Sequence, residues 1–349
     1  MKTDIASLLP DELRVYLAAL SEKSGVKIEN FRAKQIFSWL QKGIASFDEM
    51  TNVPKSLREA LANDAYLTFP TVDTKLVSAI DGTVKYLFRL HDGETVESVF
   101  MRYEHGNTVC VSTQAGCRMG CSFCASTIGG KVRDLTASEI AGQVLAAEKD
   151  VGERVSGIVM MGIGEPLDNY DASVRFLRLV NHPEGLNIGY RHISLSTCGL
   201  ADGIRKLALE NFPITLSVSL HAPTQERRET LMPVAKKYAL DELLDACRYY
   251  QSVTTRRISF EYTMIENEND TPACAEQLRD LLRGLLCHVN LIPLNDVAER
   301  GYKKSGAARI AAFAAVLEKA NVPVTVRRRL GSDINASCGQ LRRKNALRA

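Results

Sequence analysis

Hydrophobic spacing divides the chain into three stretches. Up to about residue 72, apolar positions recur every three or four residues, in "DELRVYLAAL" (11–20), "RAKQIFSWLQKG" (32–43) and "PKSLREALAN" (54–63). That period places one apolar stripe along an α-helix. Pro10 and Pro54 stand near helix starts, where a missing amide proton costs nothing. Residues 1–72 therefore read as a small helical accessory domain. From 73 to 103 the pattern changes to alternation, in "TKLVSAI", "TVKYLFRL" and "TVESVFMRY", with "DG" turns at 81–82 and 92–93. This predicts an antiparallel β extension.

From residue 104 to 349, short β-branched runs alternate with helical stretches: "TVCVST", "SGIVMMG", "RHISLST", "ITLSVSL", "RISFEYTMI", "HVNLIPL" and "PVTVRRR". Such alternation implies right-handed βαβ units and a parallel sheet. Thr136 and Glu139 form a capping box ahead of Ile140, Val144 and Leu145, marking one crossover helix. About six repeats in some 200 residues, with no GxGxxG after the first strand, suit a partial or complete β/α barrel. In barrels of this kind the chemistry sits at the C-terminal ends of the strands. The places to search are then the cysteine cluster after the first strand, "GIGEP" after the second, "STCG" after the third, "SLHAP" after the fourth and "IPLN" after the sixth.

The 349 residues are 45% hydrophobic and 24% charged, enough for a full core. Asp4 and Pro10 interrupt the apolar run that a signal peptide needs, and no later run is long enough to span a membrane, so a soluble cytoplasmic protein is expected. The net charge of +3 is unevenly spread. From Glu299 onward twelve Lys and Arg face three acidic residues. A solvated helix face with a basic tail explains that bias, and so does a phosphate-binding rim.

Nine cysteines, an odd number, are poor material for a disulfide framework. Cys117, Cys121 and Cys124, in "GCRMGCSFCA", are spaced C-x3-C-x2-C. Three thiolates on a loop leaving a strand can hold three corners of a cubane iron–sulfur cluster and leave one iron open to a ligand. Structural zinc, with Cys110 or Cys338 as fourth ligand, is the competing reading.

"CVSTQAGCRMGCSFCAS", "MGIGEPLDNY", "HISLSTCG", "SLHAP", "LMP", "HVNLIPLN" and "DINASCGQLR" together resemble, in order, the RlmN-type adenine-methylating RNA methyltransferases of the radical S-adenosylmethionine (SAM) class. The resemblance covers nearly the whole chain, less distinctly over the helical N-terminus. It implies an α/β fold, a partial (β/α)6 radical SAM barrel with the β extension and the helical domain appended. It also implies a [4Fe-4S] cluster on Cys117, Cys121 and Cys124, with SAM on the fourth iron. Gly162 and Gly164 would allow close backbone approach, and Glu165 would offer a carboxylate to the SAM ammonium. Gly164, Glu165, Ser196, Ser219, Leu220, His221 and Asn295 are the implied SAM-binding positions.

The resemblance further implies two SAM molecules per turnover. One methylates Cys338. The other, cleaved reductively, yields a radical that activates the S-methyl for addition to adenine carbon 2. Cys110 matches the cysteine that resolves the resulting adduct by forming a disulfide with Cys338, and Glu97 matches the proposed proton acceptor. On residues alone Glu97 reads equally as a surface carboxylate of the meander. Cys198, Cys247, Cys274 and Cys287 match no family role and read as small buried or incidental residues, although Cys198 lies close to the implied SAM site. "NDVAERGYKKSGAARI" and the glycine of "SCGQ" suggest that Cys338 rides on a mobile loop. The implied partners are 23S rRNA, tRNA and an external flavodoxin-like electron donor, with no membrane association and a monomeric state. Arg327–Arg329, Lys131, Arg133 and the basic C-terminus are candidate phosphate contacts. Two alternatives stay open. A related branch methylates carbon 8 of the same ribosomal adenine, although Gly164-Glu165-Pro166 favours carbon 2; a zinc-stabilised, non-catalytic RNA-binding protein is the other.

Overall fold

The computed structural model describes residues 2–295, 297–336 and 339–342, and its N-terminal region is helical as the spacing predicts. Strand β1 (Thr3–Asp4) precedes helices α1 (Pro10–Ser24), α2 (Arg32–Leu40) and α3 (Lys55–Asp64), and β2 (Ala65–Tyr66) then pairs parallel with β1. Pro10 opens α1, and Gly25 ends it in the left-handed region at φ 69°. The apolar stripes turn inward: Leu13, Leu17 and Leu20 on α1, Ile36 and Phe37 on α2, Leu57 and Leu61 on α3.

Strands β3 (Thr71–Val77), β4 (Val84–Arg89) and β5 (Thr95–Tyr103) form the antiparallel meander, and β5 pairs antiparallel with β6 (Gly106–Cys110). The sheet therefore passes residue 103 without a break. A separate hairpin, β7 (Gln114–Gly116) with β8 (Lys131–Asp134), follows. Next come α4 (Ala137–Val151), β9 (Val155–Met160), α5 (Tyr170–Asn181), β10 (Ile193–Thr197), α6 (Ala201–Leu209) and β11 (Thr215–Ser219). The chain continues through α7 (Gln225–Leu231), α8 (Leu240–Thr254), β12 (Ile258–Met264), α9 (Pro272–Leu281), β13 (Cys287–Pro293), α10 (Ala307–Lys319) and β14 (Val324–Val326).

The main sheet runs β14-β13-β12-β11-β10-β9-β6-β5-β4-β3. Its strands from β6 through β9 to β14 are parallel. This is a partial barrel, extended on one side by the meander and on the other by the short β14.

Helix α4 shows how the parts share one core. The capping box closes as expected, with the Thr136 amide donating to Glu139 at 3.0 Å and the Glu139 amide to the Thr136 hydroxyl at 3.3 Å. Ser138 then bonds to the N-terminus, its amide donating to the Ser7 hydroxyl at 3.0 Å and its hydroxyl to Asp4 at 2.7 Å. At Gly142 a Cβ would stand 2.7 Å from Pro70, so only glycine lets residues 68–70 lie on the helix. The buried side chains of α1–α3 are continuous with those of the barrel. Among the described residues, no helix is long and apolar enough to cross a membrane.

Candidate functional site

Cys117, Cys121 and Cys124 lie in the loop joining β7 to β8, one hairpin later than the first-strand position expected from the sequence. After β6 the chain stays extended beside the end of β9, with Val111 donating to Val159 at 3.0 Å and Thr113 to Ile163 at 2.9 Å. The loop is fixed at several points. The Cys117 amide donates to Gly130 and the Ser122 amide to Leu231 at the end of α7, both at 2.9 Å. Arg300 donates to the Cys124 carbonyl at 3.1 Å and to the Thr127 hydroxyl at 2.7 Å, while the Tyr302 and Ser122 hydroxyls meet at 2.9 Å. Arg300 and Tyr302, both in the stretch expected to be flexible, thus contact the cysteine loop.

The three cysteines share an open cleft of about 860 Å3 with Gly164, Glu165, Ser196, Cys198, Ser219 and His221. Burial pushes the Cys117 thiol up to about 12, and the neighbouring Cys124 adds to the shift. Cys121 is raised for the same reasons, with Cys117 and Cys124 both contributing. Thiols raised like those of Cys117 and Cys121 become thiolates together only around a cation. Among the described residues no three His, Cys, Asp or Glu side chains gather closely enough to hold a single metal ion. A cubane instead wants its thiolates at separate corners, so three soft donors around one cleft suit an iron–sulfur cluster.

The glycines of "GIGEP" serve the protein's own packing. A Cβ on Gly162 would lie 2.6 Å from the Val111 carbonyl, and on Gly164, at φ 111°, 2.7 Å from Gln114. They let this loop press against residues 111–114. Glu165 is 3% exposed, and its carboxylate accepts from the Leu167 amide at 3.0 Å and the Cys198 amide at 2.7 Å. It ties the ends of β9 and β10 together at the cleft, while burial raises its pKa. Cys198 consequently lines the site.

Arg228, missed by the sequence reading, lies fully buried on α7 beside the cleft. It donates to the Cys198 carbonyl at 2.6 Å, with Ser219 accepting at 3.4 Å, so it links the ends of β10 and β11. Its Nε and Nη1 have no partner among the described residues. His221, at φ 56°, accepts the Thr263 amide at Nδ1 (3.0 Å) and packs edge-on to Phe123. Burial, helped by Arg228, depresses its pKa to about 3, leaving a neutral imidazole. Leu220 is wholly buried, donating its amide to Glu261 at 3.0 Å.

Cys110 and Asn295 line a second cavity with Arg327, Arg328 and Arg329; it adjoins the first, Met161, Ile292 and Arg327 lining both. Glu97 is 0% exposed, which overturns its reading as a surface carboxylate. It pairs with the buried Lys85 at 3.0 Å and accepts the amides of Gly339 at 2.9 Å and Arg342 at 2.6 Å. Cys338 and residues 343–349 of the basic tail lie outside the described residues. Two other candidate phosphate contacts are already engaged. Lys131 pairs with Asp134 and Asp168, and Arg133 with Asp92 and Glu139.

Comparison with known proteins agrees with this layout. The Radical SAM superfamily profile matches residues 111–279, and that of the ribosomal RNA large subunit methyltransferase N-terminal domain matches residues 3–67. The protein named "Probable dual-specificity RNA methyltransferase RlmN" in Alkaliphilus oremlandii is 54% identical over 344 residues, covering 99% of this chain and 98% of that one. Its namesake in Clostridium tetani is 55% identical over 318 residues, 91% of each chain. The chain belongs to the RlmN family of radical SAM RNA methyltransferases. A crystal structure of a radical SAM methyltransferase from Sphaerobacter thermophilus shares the fold at a TM-score of 0.90 and 44% identity, covering 97% of this chain and 98% of the other. RlmN family membership implies a [4Fe-4S] cluster and SAM, which the three-cysteine cleft fits, and an RNA substrate.

Proposed function

We propose that the chain methylates carbon 2 of adenine in 23S rRNA and in tRNA, in the cytoplasm and as a monomer, using two SAM molecules per turnover. The observation that carries this reading is the adjacency of two cavities, one lined by the three cysteines and the other by Cys110 and the arginine triplet, with Met161, Ile292 and Arg327 lining both. The relatives' name, "Probable dual-specificity RNA methyltransferase RlmN", supports two RNA substrates.

When bound, the cluster supplies an electron, drawn from a flavodoxin-like donor, to the SAM sulfonium. Cys117, Cys121 and Cys124 would hold it, and the residues around Glu165, Ser196, Ser219, Leu220, His221 and Asn295 would orient SAM. Neutral His221 offers no positive charge against the sulfonium. Cys338 is the proposed methyl carrier, joined to adenine through its methylene. Release would break the carbon–sulfur bond as Cys110, having given up its thiol proton, forms a disulfide with Cys338; the electron pair stays on carbon, which takes up a proton to become the methyl group. Glu97 is the proposed acceptor of the carbon 2 proton. Because its oxygens hold the Gly339 and Arg342 amides, that role requires the C-terminal segment to shift. Arg327, Arg328 and Arg329 would meet RNA phosphates, and the helical domain would grip the RNA.

The test is anaerobic reconstitution with iron and sulfide, reaction with SAM and RNA, and mass analysis of the modified adenine. Methylation at carbon 2 is expected, and methylation at carbon 8 refutes the assignment. Cys110→Ala should accumulate protein covalently bound to RNA through Cys338, seen as a nuclease-sensitive band on a denaturing gel. Cys338→Ala should give none.

A further inference from the structure

Glu261 lies on β12, 4% exposed, in the wall of the cysteine-lined cleft. It also borders a second open cleft, of about 1170 Å3, lined by Ser156, Ser194, Ser217, Ser259 and Asn290 among others. None of the roles above uses it. Its carboxylate makes no ion pair among the described residues, and two neutral donors hold it. Oε1 accepts from the Ser259 hydroxyl at 3.0 Å and Oε2 from the Asn290 amide at 2.7 Å. The Asn290 amide is itself oriented, because its oxygen accepts from Thr325 at 3.1 Å, which leaves its NH2 facing Glu261.

A carboxylate has about four acceptor positions. One donor on each oxygen leaves each with a further lone pair, side by side at the edge of a cleft. A buried carboxylate with unused acceptors is costly, so the arrangement favours a ligand bringing two adjacent donors. We propose that Glu261 binds the vicinal diol of a ribose, taking one hydroxyl on each oxygen. Two sources of ribose reach this family's site, the cofactor and the RNA. An internal RNA nucleotide has its 3′ oxygen in a phosphodiester and presents no vicinal diol, so the occupant is the ribose of SAM. The inference rests on the SAM site proposed above, and it adds a residue of β12 that the motifs do not mark.

The experiment measures equilibrium binding to the reconstituted, cluster-loaded protein under anaerobic conditions. The probes are SAM, S-adenosylhomocysteine and the 2′,3′-dideoxy form of S-adenosylhomocysteine. For wild type, removal of both hydroxyls should weaken binding by about tenfold or more. Glu261→Gln should weaken SAM and S-adenosylhomocysteine alike by a similar factor, and should not weaken the dideoxy analogue further. Equal wild-type affinity for the dideoxy analogue and its parent overturns the proposal, whether or not the variant folds. So does a Glu261→Gln loss as large for the dideoxy analogue as for the parent. A loss confined to SAM assigns the carboxylate to the sulfonium charge and overturns the diol reading. If wild type binds neither SAM nor S-adenosylhomocysteine, the SAM site itself is refuted.

Discussion

The Gly339 amide donates a 2.9 Å hydrogen bond to the Glu97 carboxylate inside the protein. Lys85, paired with the same carboxylate, donates to the Asn335 carbonyl at 3.1 Å. The two partners of one buried ion pair therefore hold the chain on either side of residues 337 and 338. Asp81 accepts the Gly331 amide at 2.8 Å, and Asp333 bonds to Ser78 and Ala79, extending the attachment. The meander is the seat of the C-terminal segment. Glu97→Gln leaves the Lys85 charge buried without its counter-charge and should cost about 3–5 kcal/mol. Denaturant unfolding checks this, and hydrogen exchange at Gly339 and Arg342 should accelerate beyond the global effect. Adding Lys85→Met should recover part of the stability. Wild-type exchange in the single variant would refute the attachment.

Cys117→Ala, Cys121→Ala and Cys124→Ala should each abolish SAM cleavage while the barrel stays folded. The Cys117 and Ser122 amides, Arg300 and the Tyr302 hydroxyl hold the loop by bonds that these substitutions leave in place. Iron content, the visible absorption of an iron–sulfur cluster and far-UV circular dichroism check the three parts separately. Full turnover and full iron in any one variant would refute the cluster assignment.

Glu165→Gln replaces one carboxylate oxygen by an NH2 that faces a backbone amide, at Leu167 or at Cys198. An unsatisfied buried donor costs about 1–3 kcal/mol. The variant should melt earlier and bind SAM more weakly, since the same two bonds shape the cleft. Thermal unfolding and SAM titration should therefore move together. Weaker SAM binding at unchanged stability would mean that Glu165 acts on the ligand alone.

Period and turn residues made the helices, the meander and the order of the parallel strands legible, and the cysteine spacing marked the cleft. What stayed hidden depended on partners distant in sequence. Glu97 reads as an ordinary strand residue until Lys85 and Gly339 are brought to it. Arg228 and Glu261 carry no motif, because their meaning comes from burial at the ends of neighbouring strands. Lys131 and Arg133 are two positive charges in the sequence, yet Asp92, Asp134, Glu139 and Asp168 neutralise them in the fold. Hydrophobic periodicity also separated the helical N-terminus more cleanly than the structure does. Residues 1–72 cover α4, so their deletion would expose core.

His221 sets a pH dependence. Its pKa falls from an ordinary 6.5 to about 3 in the folded chain. Between those values the unfolded chain binds the proton and the folded one does not. Its contribution is thus complete above 6.5 and declines as the pH drops toward 3, by at most about 1.4 kcal/mol per pH unit. His221→Asn, which tolerates the left-handed backbone, should flatten this part of the stability curve. Chemical denaturation at several pH values measures the slope, and an unchanged slope would show that His221 is protonated in the fold.

Charge location, more than charge count, should decide which basic residues bind RNA. Arg328 and Arg329 are exposed beside the Cys110 cavity, whereas Lys131 and Arg133 spend their charge on internal carboxylates. Each phosphate deprived of its cation should reduce the slope of log binding constant against log salt by about 0.7–0.9. Arg328→Gln and Arg329→Gln should therefore flatten the salt dependence of RNA binding and leave SAM affinity intact. Arg133→Gln should leave that slope unchanged and lower stability, because Glu139, fully buried at the start of α4, loses its cation. RNA titrations at several salt concentrations, paired with thermal unfolding, separate the two behaviours. A flatter slope with Arg133→Gln, or none with the Arg328 and Arg329 variants, would move the RNA-binding face from the Cys110 cavity to the β8 hairpin.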